Sequence, residues 1–292
     1  MSGDDGHQKK SVLITGCSTG GIGHALALEF QLQGFYVIAT ARDPKKMQDL
    51  IDHRLIETVQ LDVCNPASIR IAREEVERLL DGTGLDILIN NAGGDSTPQP
   101  AVEVDMNVAQ ATMDVNFFGI VRTTMEFAPL LIQSGAGRVV NISSAAGLMP
   151  IPYLSIYGAA KAAVNAYSDS LRVELEPFNV GVTTVITGSV ANSKDRTKFE
   201  LELTPSSRYH AGKPAYQEAM MKNAAQRLMP AAQYAKALVH EMMRRHPSRT
   251  MYLGEGAWYA WLMTSFAPRS WIHSLMVRMW GINDLKQSKK TA

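Results

Sequence analysis

The feature that most constrains the fold of this chain is a short apolar run that stops at glycines and restarts as a helix. Ser11 to Thr15 (SVLIT) leads into Gly16-Cys17-Ser18-Thr19-Gly20-Gly21-Ile22-Gly23, and Ile22 to Gln33 then has helical periodicity that ends at Gly34. The alternation recurs. Further strands are expected at Tyr36 to Ala41, Thr58 to Val63, Asp86 to Asn90, Gly137 to Ser144 and Val180 to Ile186. Between them, Asn65-Pro66 supplies N-cap and N1 chemistry for a helix to about Leu80. A long helical segment covers Val108 to Gln133, and another carries Tyr157 and ends near Phe178. Strands alternating with helices of this length require a parallel sheet with right-handed crossovers. The expected fold is α/β: one doubly wound domain over residues 11–255, preceded by a polar tail, residues 1–10. A chain of 292 residues suffices for one large core.

Two segments break the pattern. Residues 189–230 are long and polar, which suggests a substrate loop or lid. Within it, Lys194, Arg196 and Lys198 could meet a phosphate or be solvated surface charge. Residues 256–292 form an aromatic-rich extension with Trp258, Trp261, Phe266, Trp271 and Trp280, rimmed by Arg269, Arg278 and the terminal lysines. Three readings stay open for it: contact with a membrane or lipid-droplet interface through 256–280, packing over the pocket, or a dimer seam.

Charge and cysteine content narrow the function classes. The formal net charge is +1, which gives no footprint for nucleic acid or an acidic partner. Cys17 and Cys64 are the only cysteines, so no disulfide framework organises the chain and a reducing, cytoplasmic setting is the default. No His/Cys cluster has metal-ligand spacing. The first ten residues lack the apolar stretch of a secretory signal, and no run of eighteen uninterrupted apolar residues suggests a spanning helix.

The chemistry concentrates between Ser144 and Lys161 (SAAGLMPIPYLSIYGAAK). Positions i and i+4 share a helix face, so Tyr157 and Lys161 should point into the same space. A phenol with a pKa of ~10 is a poor acid–base group at neutral pH, and a nearby ammonium lowers that value. A hydroxyl from Ser144 could then hydrogen-bond a substrate carbonyl oxygen. Ser143 would face the other side of its strand and be structural, while Tyr153 and Ser155 could line a substrate pocket. At the other end, glycines before a helix N-terminus permit close approach of backbone N–H groups to a pyrophosphate.

Taken with Asn90-Asn91-Ala92-Gly93, Asn116, Ser144 and Tyr157-x-x-x-Lys161, the glycine turn resembles the short-chain dehydrogenase/reductase family over residues 11–250 or so. More narrowly, SIYGAAKAAVNAY and ELEPFNVGVTTVITGSVA are similar to fungal NADPH-dependent 1-acyldihydroxyacetone-phosphate reductases and their relatives in fungal metabolism. The resemblance implies a Rossmann-type fold and a homo-oligomeric NADPH-dependent reductase of a lipophilic ketone or aldehyde, in glycerolipid synthesis or secondary metabolism. It implies a cytoplasmic enzyme that could be peripheral to the endoplasmic reticulum or lipid droplets. By the same resemblance, Tyr157 transfers the proton, Ser144 orients the carbonyl, Lys161 tunes Tyr157 and holds the nicotinamide ribose, and Asn116 holds a relay water. The cofactor positions carried over are Ile14, Gly16, Ser18, Gly21, Ile22, Arg42, Asp62, Asn91 and Val190, with Tyr157 and Lys161. Arg42 follows Ala41 at the end of the second strand, where an acidic residue would select NAD; a cation there favours a 2′-phosphate. Asp62 could contact adenine or serve as a turn acceptor.

The chain departs from the family pattern in three places. The glycine cluster is one residue longer than usual, Ala160 replaces a serine before Lys161, and Thr187-Gly188 replaces the usual Pro-Gly after the sixth strand. A non-catalytic NADP(H)-binding sensor or scaffold is the rival class, and an epimerase or dehydratase a third. The presence of Asn116, Ser144, Tyr157 and Lys161 together argues against the rival class, and the Asn90–Gly93 sequence and lack of a long C-terminal substrate domain argue against the third.

Overall fold

A computed structural model describes residues 9–94, 97–191, 200–225, 228–283 and 285. Its centre is a seven-stranded parallel sheet in the order β3-β2-β1-β4-β5-β6-β9. The strands are β1 (Ser11–Thr15), β2 (Tyr36–Ala41), β3 (Ile56–Gln60), β4 (Ile87–Asn90), β5 (Arg138–Ser144), β6 (Gly181–Thr187) and β9 (Thr250–Leu253). A two-stranded parallel pair, β7 (Val190–Ala191) with β8 (Met229–Pro230), lies beyond the end of β6. The strand order reverses between β1 and β4, which in open α/β sheets opens a crevice at the carboxyl ends of the strands.

Alternation along each strand divides the core into two layers. Val12, Ile14, Val140, Ile142 and Val185 pack with α1 (Ile22–Leu32) and α7 (Ala231–Met242). Leu13, Ile38, Leu88 and Val139 pack on the opposite face with α2 (Pro66–Leu80), α4 (Gly119–Gln133) and α5 (Ser155–Leu175). Near-continuous apolar strands are what a sheet covered on both faces needs. A buried polar chain crosses the second layer: the Asn90 amide donates to Thr124 Oγ1 (2.9 Å) and Asn141 Oδ1 (2.8 Å), and Asn141 donates to Ser168 Oγ (2.9 Å). Directional bonds of this kind fix α4 and α5 against β4 and β5 in a way that apolar packing alone does not.

Local signals placed most elements as expected. Asn65 caps α2, accepting from the N–H groups of Ala67 and Ser68, with Pro66 at N1. Gly34 closes α1 with φ +83°, a conformation that costs glycine little. The expected helix over 108–133 is one rod made of α3 (Met106–Met113), a π-helical turn (Asp114–Phe118) and α4. By length and composition, Met106–Gln133 would be apolar enough to cross a membrane, yet Phe127, Leu130 and Leu131 are buried against the sheet layer.

The structure moves one strand boundary and adds elements in two places. The third strand runs from Ile56 to Gln60 rather than from 58 to 63, because Asp62 to Asn65 forms the turn that starts α2. The polar stretch 189–230 contains α6 (Lys213–Ala225), whose Tyr216 is buried, as well as β7 and β8. The seventh strand, β9, adds an edge that the pattern did not reveal. Lys194, Arg196 and Lys198 lie outside the described residues.

The extension after Gly256 folds into α8 (Ala257–Phe266) and α9 (Arg269–Met279). Ala260, Ile272, Met276 and Trp280 pack with Met149, Tyr153, Leu201 and Tyr216 in a third apolar cluster. Part of the tail therefore forms an apolar roof over the segment that follows β5.

Candidate active site

The helix carrying Tyr157 starts at Ser155, and its inner face is held to β5 by polar contacts. Lys161 is 4% exposed, and its Nζ donates to the Ile142 carbonyl at 3.0 Å. The same Nζ lies 5.8 Å from the centroid of the Tyr157 ring, so the i, i+4 pair shares one face as expected. Burial drives the lysine down to about 8, because a low-dielectric surrounding disfavours the charged form. Ser143 does face the other side: its hydroxyl lies 3.1 Å from the Lys161 carbonyl and 2.6 Å from Asn165 Oδ1, anchoring the helix.

Ser144 ends β5, and its Oγ accepts from the Ala146 N–H at 3.1 Å, starting the tight turn Ala145–Gly147. A side chain at Gly147 would come within 2.8 Å of the Lys161 backbone, so this glycine lets the turn sit against α5. Tyr153 follows with φ +65°, an uncommon state for a bulky residue. Its ring is buried edge-on against Tyr216 and Tyr209 at 5.3 and 6.2 Å between centroids. Thus Tyr153 belongs to the roof cluster, whereas Ser155 is exposed in the first turn of α5.

Asn116 sits in the π-helical turn, completely buried. Its Oδ1 accepts from Gly94 N–H at 2.8 Å, and its Nδ2 donates to the carbonyls of Gly94 and Thr112. A Cβ on Gly93 would stand 2.9 Å from Asn116 Oδ1 and 3.4 Å from Lys161 Nζ. Asn116, Gly93 and Lys161 therefore enclose one small polar space. Both amide protons of Asn116 are already used, so a water there would meet acceptor oxygens on the Asn116 side and the ammonium on the Lys161 side.

At the glycine turn, a side chain on Gly16 would press on Ala92 Cα at 2.9 Å, and one on Gly23 would meet the Gly16 carbonyl and Asn91 Nδ2. These two glycines allow β1, α1 and the end of β4 to close up. Thr19 and Gly20 are exposed at the tip of the turn, which is tied down by Thr19 N–H and Oγ1 to the Lys46 carbonyl and by Oγ1 to Asp49. Gly21 caps α1 without a side-chain bond and no acid lies in its first turn, so the helix N-terminus keeps donors open to an anion. Ser18 and Ile22 flank this opening, half-buried. Arg42 is exposed just past β2 and makes no ion pair among the described residues. The residue directly after β2 is thus a cation, where an acid would favour the ribose of NAD.

Other sequence-predicted residues also make scaffold contacts. Ile14 is wholly buried in the α1/α7 layer and presents no side-chain surface to a ligand. The Asn91 amide donates to the Thr15 and Gly16 carbonyls (2.8 and 3.1 Å), bracing the glycine turn. One Asp62 oxygen accepts from Cys64 N–H, the turn-acceptor role. Val190 is buried in β7, pairing with Met229. Cys17 is buried in the turn, and its thiol is pushed up to about 12, so it stays protonated and inert. Sequence reasoning missed Tyr234 of α7, whose Oη lies 2.8 Å from Thr187 Oγ1 at the end of β6. The signal available was Thr187 itself, a hydroxyl where proline is usual.

Residues 10–202 match the short chain dehydrogenase family. The short-chain dehydrogenase ptmH of Penicillium ochrochloron is 39% identical over 94% of this chain and 100% of that protein. The NADPH-dependent 1-acyldihydroxyacetone phosphate reductase of Schizosaccharomyces pombe is 44% identical over 62% of this chain and 60% of that protein. Among solved structures, a closed form of serine dehydrogenase complexed with NADP+ superposes with a TM-score of 0.68 at 29% identity, covering 82% of this chain and 93% of that one.

The buried lysine has a stability signature. Its pKa is below the unfolded value of about 10.5, so the unfolded chain binds more protons between pH 8 and 10.5 and stability rises with pH across that window. Below pH 8 the burial costs on the order of 3 kcal/mol. Lys161→Met is expected to raise the unfolding free energy at pH 7 by about 1–2 kcal/mol, net of the lost Ile142 bond, with the gain fading toward pH 10.5. Urea titrations at pH 7 and pH 10.5 check this.

Proposed function

The chain belongs to the short-chain dehydrogenase family of oxidoreductases, and we propose that it is an NADPH-dependent reductase of a lipophilic ketone or aldehyde. The observation that carries this reading is the buried Lys161 ammonium held beside Tyr157 at a cost in stability. A pure nucleotide sensor has no use for that arrangement.

When bound, the reduced nicotinamide supplies the hydride. The chain supplies the rest. Tyr157 gives its phenolic proton to the carbonyl oxygen, while the Ser144 hydroxyl donates a hydrogen bond to the same oxygen as charge develops on it. The ammonium of Lys161 favours the phenolate left behind, so the proton departs more readily near neutral pH. The space between Asn116, Gly93 and Lys161 accommodates the water through which Tyr157 is reprotonated. On the cofactor side, Gly16, Ser18, Gly21 and Ile22 would hold the pyrophosphate, Arg42 would pair with the 2′-phosphate, and the Val190 backbone would meet the nicotinamide end.

The roof formed by Met149, Tyr153, Leu201, Tyr216 and Trp280 is apolar, which supports a lipophilic substrate. The names of the relatives point in two directions: an acylated dihydroxyacetone phosphate or a fungal secondary metabolite. A homo-oligomer is supported by the exposed apolar side chains Met106, Phe118 and Met125 along one helical rod, beside a depression of about 720 Å³.

A cytoplasmic enzyme docked on an endoplasmic reticulum or lipid-droplet surface is supported by α8, whose amphipathicity is inverted. Its small residues Ala257 and Ala260 face the protein, while Trp258 and Phe266 are 62% and 72% exposed. Trp271 at the start of α9 is 69% exposed, next to Arg269, and no acid occurs from Gly256 to Asn283. Amphipathic aromatics beside cations suit an anionic lipid interface.

Tyr157→Phe is expected to retain NADPH binding, read by fluorescence titration, and to lose at least a hundredfold in carbonyl reduction; wild-type turnover would overturn the mechanism. In steady-state kinetics Arg42→Asp should lower the NADPH over NADH preference at least tenfold, and an unchanged ratio would remove Arg42 from the 2′-phosphate site. Phe266→Ser/Trp271→Ser should cut partitioning onto anionic vesicles severalfold without changing turnover of a water-soluble ketone. Equal partitioning would exclude lipid docking through α8 and α9.

A further inference from the structure

Thr187 and Tyr234 meet at the one place where the chain departs from the usual Pro-Gly sequence, and they do so next to the reacting groups. Thr187 is the last residue of β6 and the register partner of Ser144 on β5, so the two side chains leave the same face of the sheet. That face is the one covered by α7, where Tyr234 is fully buried in the first turn. The two hydroxyl oxygens are 2.8 Å apart. Tyr157 lies within electrostatic range of Tyr234, and its charged form makes ionisation of Tyr234 harder, after the much larger effect of burial.

Proton counting gives this pair its direction. Two hydroxyls carry two protons, and their mutual bond uses one. Neither hydroxyl has another partner among the described residues, which leave one of the two protons unused. If Tyr234 donates to Thr187, the spare proton sits on Thr187 beside Ser144. If Thr187 donates, it sits on Tyr234, toward Tyr157. In both orientations a hydrogen-bond donor remains at the reacting centre. A buried donor without a partner is costly, and a ligand oxygen or the Tyr157 phenolate would complete it.

We propose that Tyr234, through Thr187, is a positioning residue for the Ser144–Tyr157 centre, supplying a hydrogen-bond donor that stabilises negative charge on the reacting oxygens. This rests on the reading of Tyr157 as the proton donor. The other groups around Tyr157 do not substitute for it. Lys161 of α5 supplies charge and is bonded to Ile142; the turn Ala145–Gly147 has no titratable side chain; and Asp114 and Arg122 of the neighbouring rod are paired with each other at 2.6 Å. Donation to a phenolate favours ionisation, so its loss should raise the pKa of Tyr157.

The test uses Tyr234→Phe, Thr187→Val and the double variant, each of near-native shape, with pH–rate profiles in both directions. The alkaline limb of carbonyl reduction should move up by about half a pH unit or more, and alcohol oxidation at pH 7 should fall about threefold or more. The double variant should cost little more than either single one, because the two hydroxyls act as one unit. A fall in rate that is equal at every pH, or no fall, would overturn the proposal, since a purely structural brace would leave the limb in place. Tyr157→Phe runs alongside. If it stays active, the mechanism itself fails; if it is inactive while the hydroxyl variants keep the wild-type limb, only the role of Tyr234 fails.

Discussion

The contact on which the site depends is the bond from a buried ammonium to a strand carbonyl, Lys161 Nζ to Ile142. It sets the rotation of α5 about its own axis, and therefore the direction in which Tyr157 points. Everything around it serves to keep a charge where water is excluded. Ser143 and Asn165 clamp the helix backbone to β5, Gly147 lets the turn after Ser144 press against it, and Gly93 leaves space beside the ammonium. Stability is given up at the position where chemistry is gained, a common exchange at functional sites.

The sheet supplies the second coordinate. Parallel pairing in register places Asn90, Asn141 and Thr184 across three neighbouring strands, and Ser144 opposite Thr187 at the rim. The carboxyl ends of β1, β4, β5 and β6 thus converge on one edge. Glycine turn, Asn91, Ser144 and Thr187 all arise within a residue or two of a strand end, where the backbone leaves the ladder and its groups become available.

Much of this was legible in the sequence because it is local. Asn65-Pro66, Gly34 and the spacing of Tyr157 and Lys161 act within a turn or two of helix, and the structure places them accordingly. What was not legible depends on distant partners. The strand β9 is four residues long with two exposed positions, so it carries no alternation strong enough to announce itself. The bond from the Asn91 amide to the end of the first strand and the complete burial of Ile14 are likewise set by partners far along the chain. Tyr234 is one apolar position of a periodic helix, and only the fold shows that its hydroxyl reaches Thr187. The α8 helix misleads for another reason: its largest side chains point outward, against the rule by which core faces are recognised.

The π-helical turn at Asp114–Phe118 has a bearing on how this rod could have arisen. Such a turn holds one residue more than α-winding would, which amounts to an insertion stored inside a helix. A π turn closes its ring one residue later than an α turn, so excising one residue there would restore α winding and leave Met106–Met113 nearly in phase with α4. The same excision within α3 or α4 would rotate everything beyond it by about 100° and carry apolar side chains off their neighbours. The turn is thus a store of slack: it marks the stretch of this rod where length can change by a residue while both halves keep the surfaces they pack against.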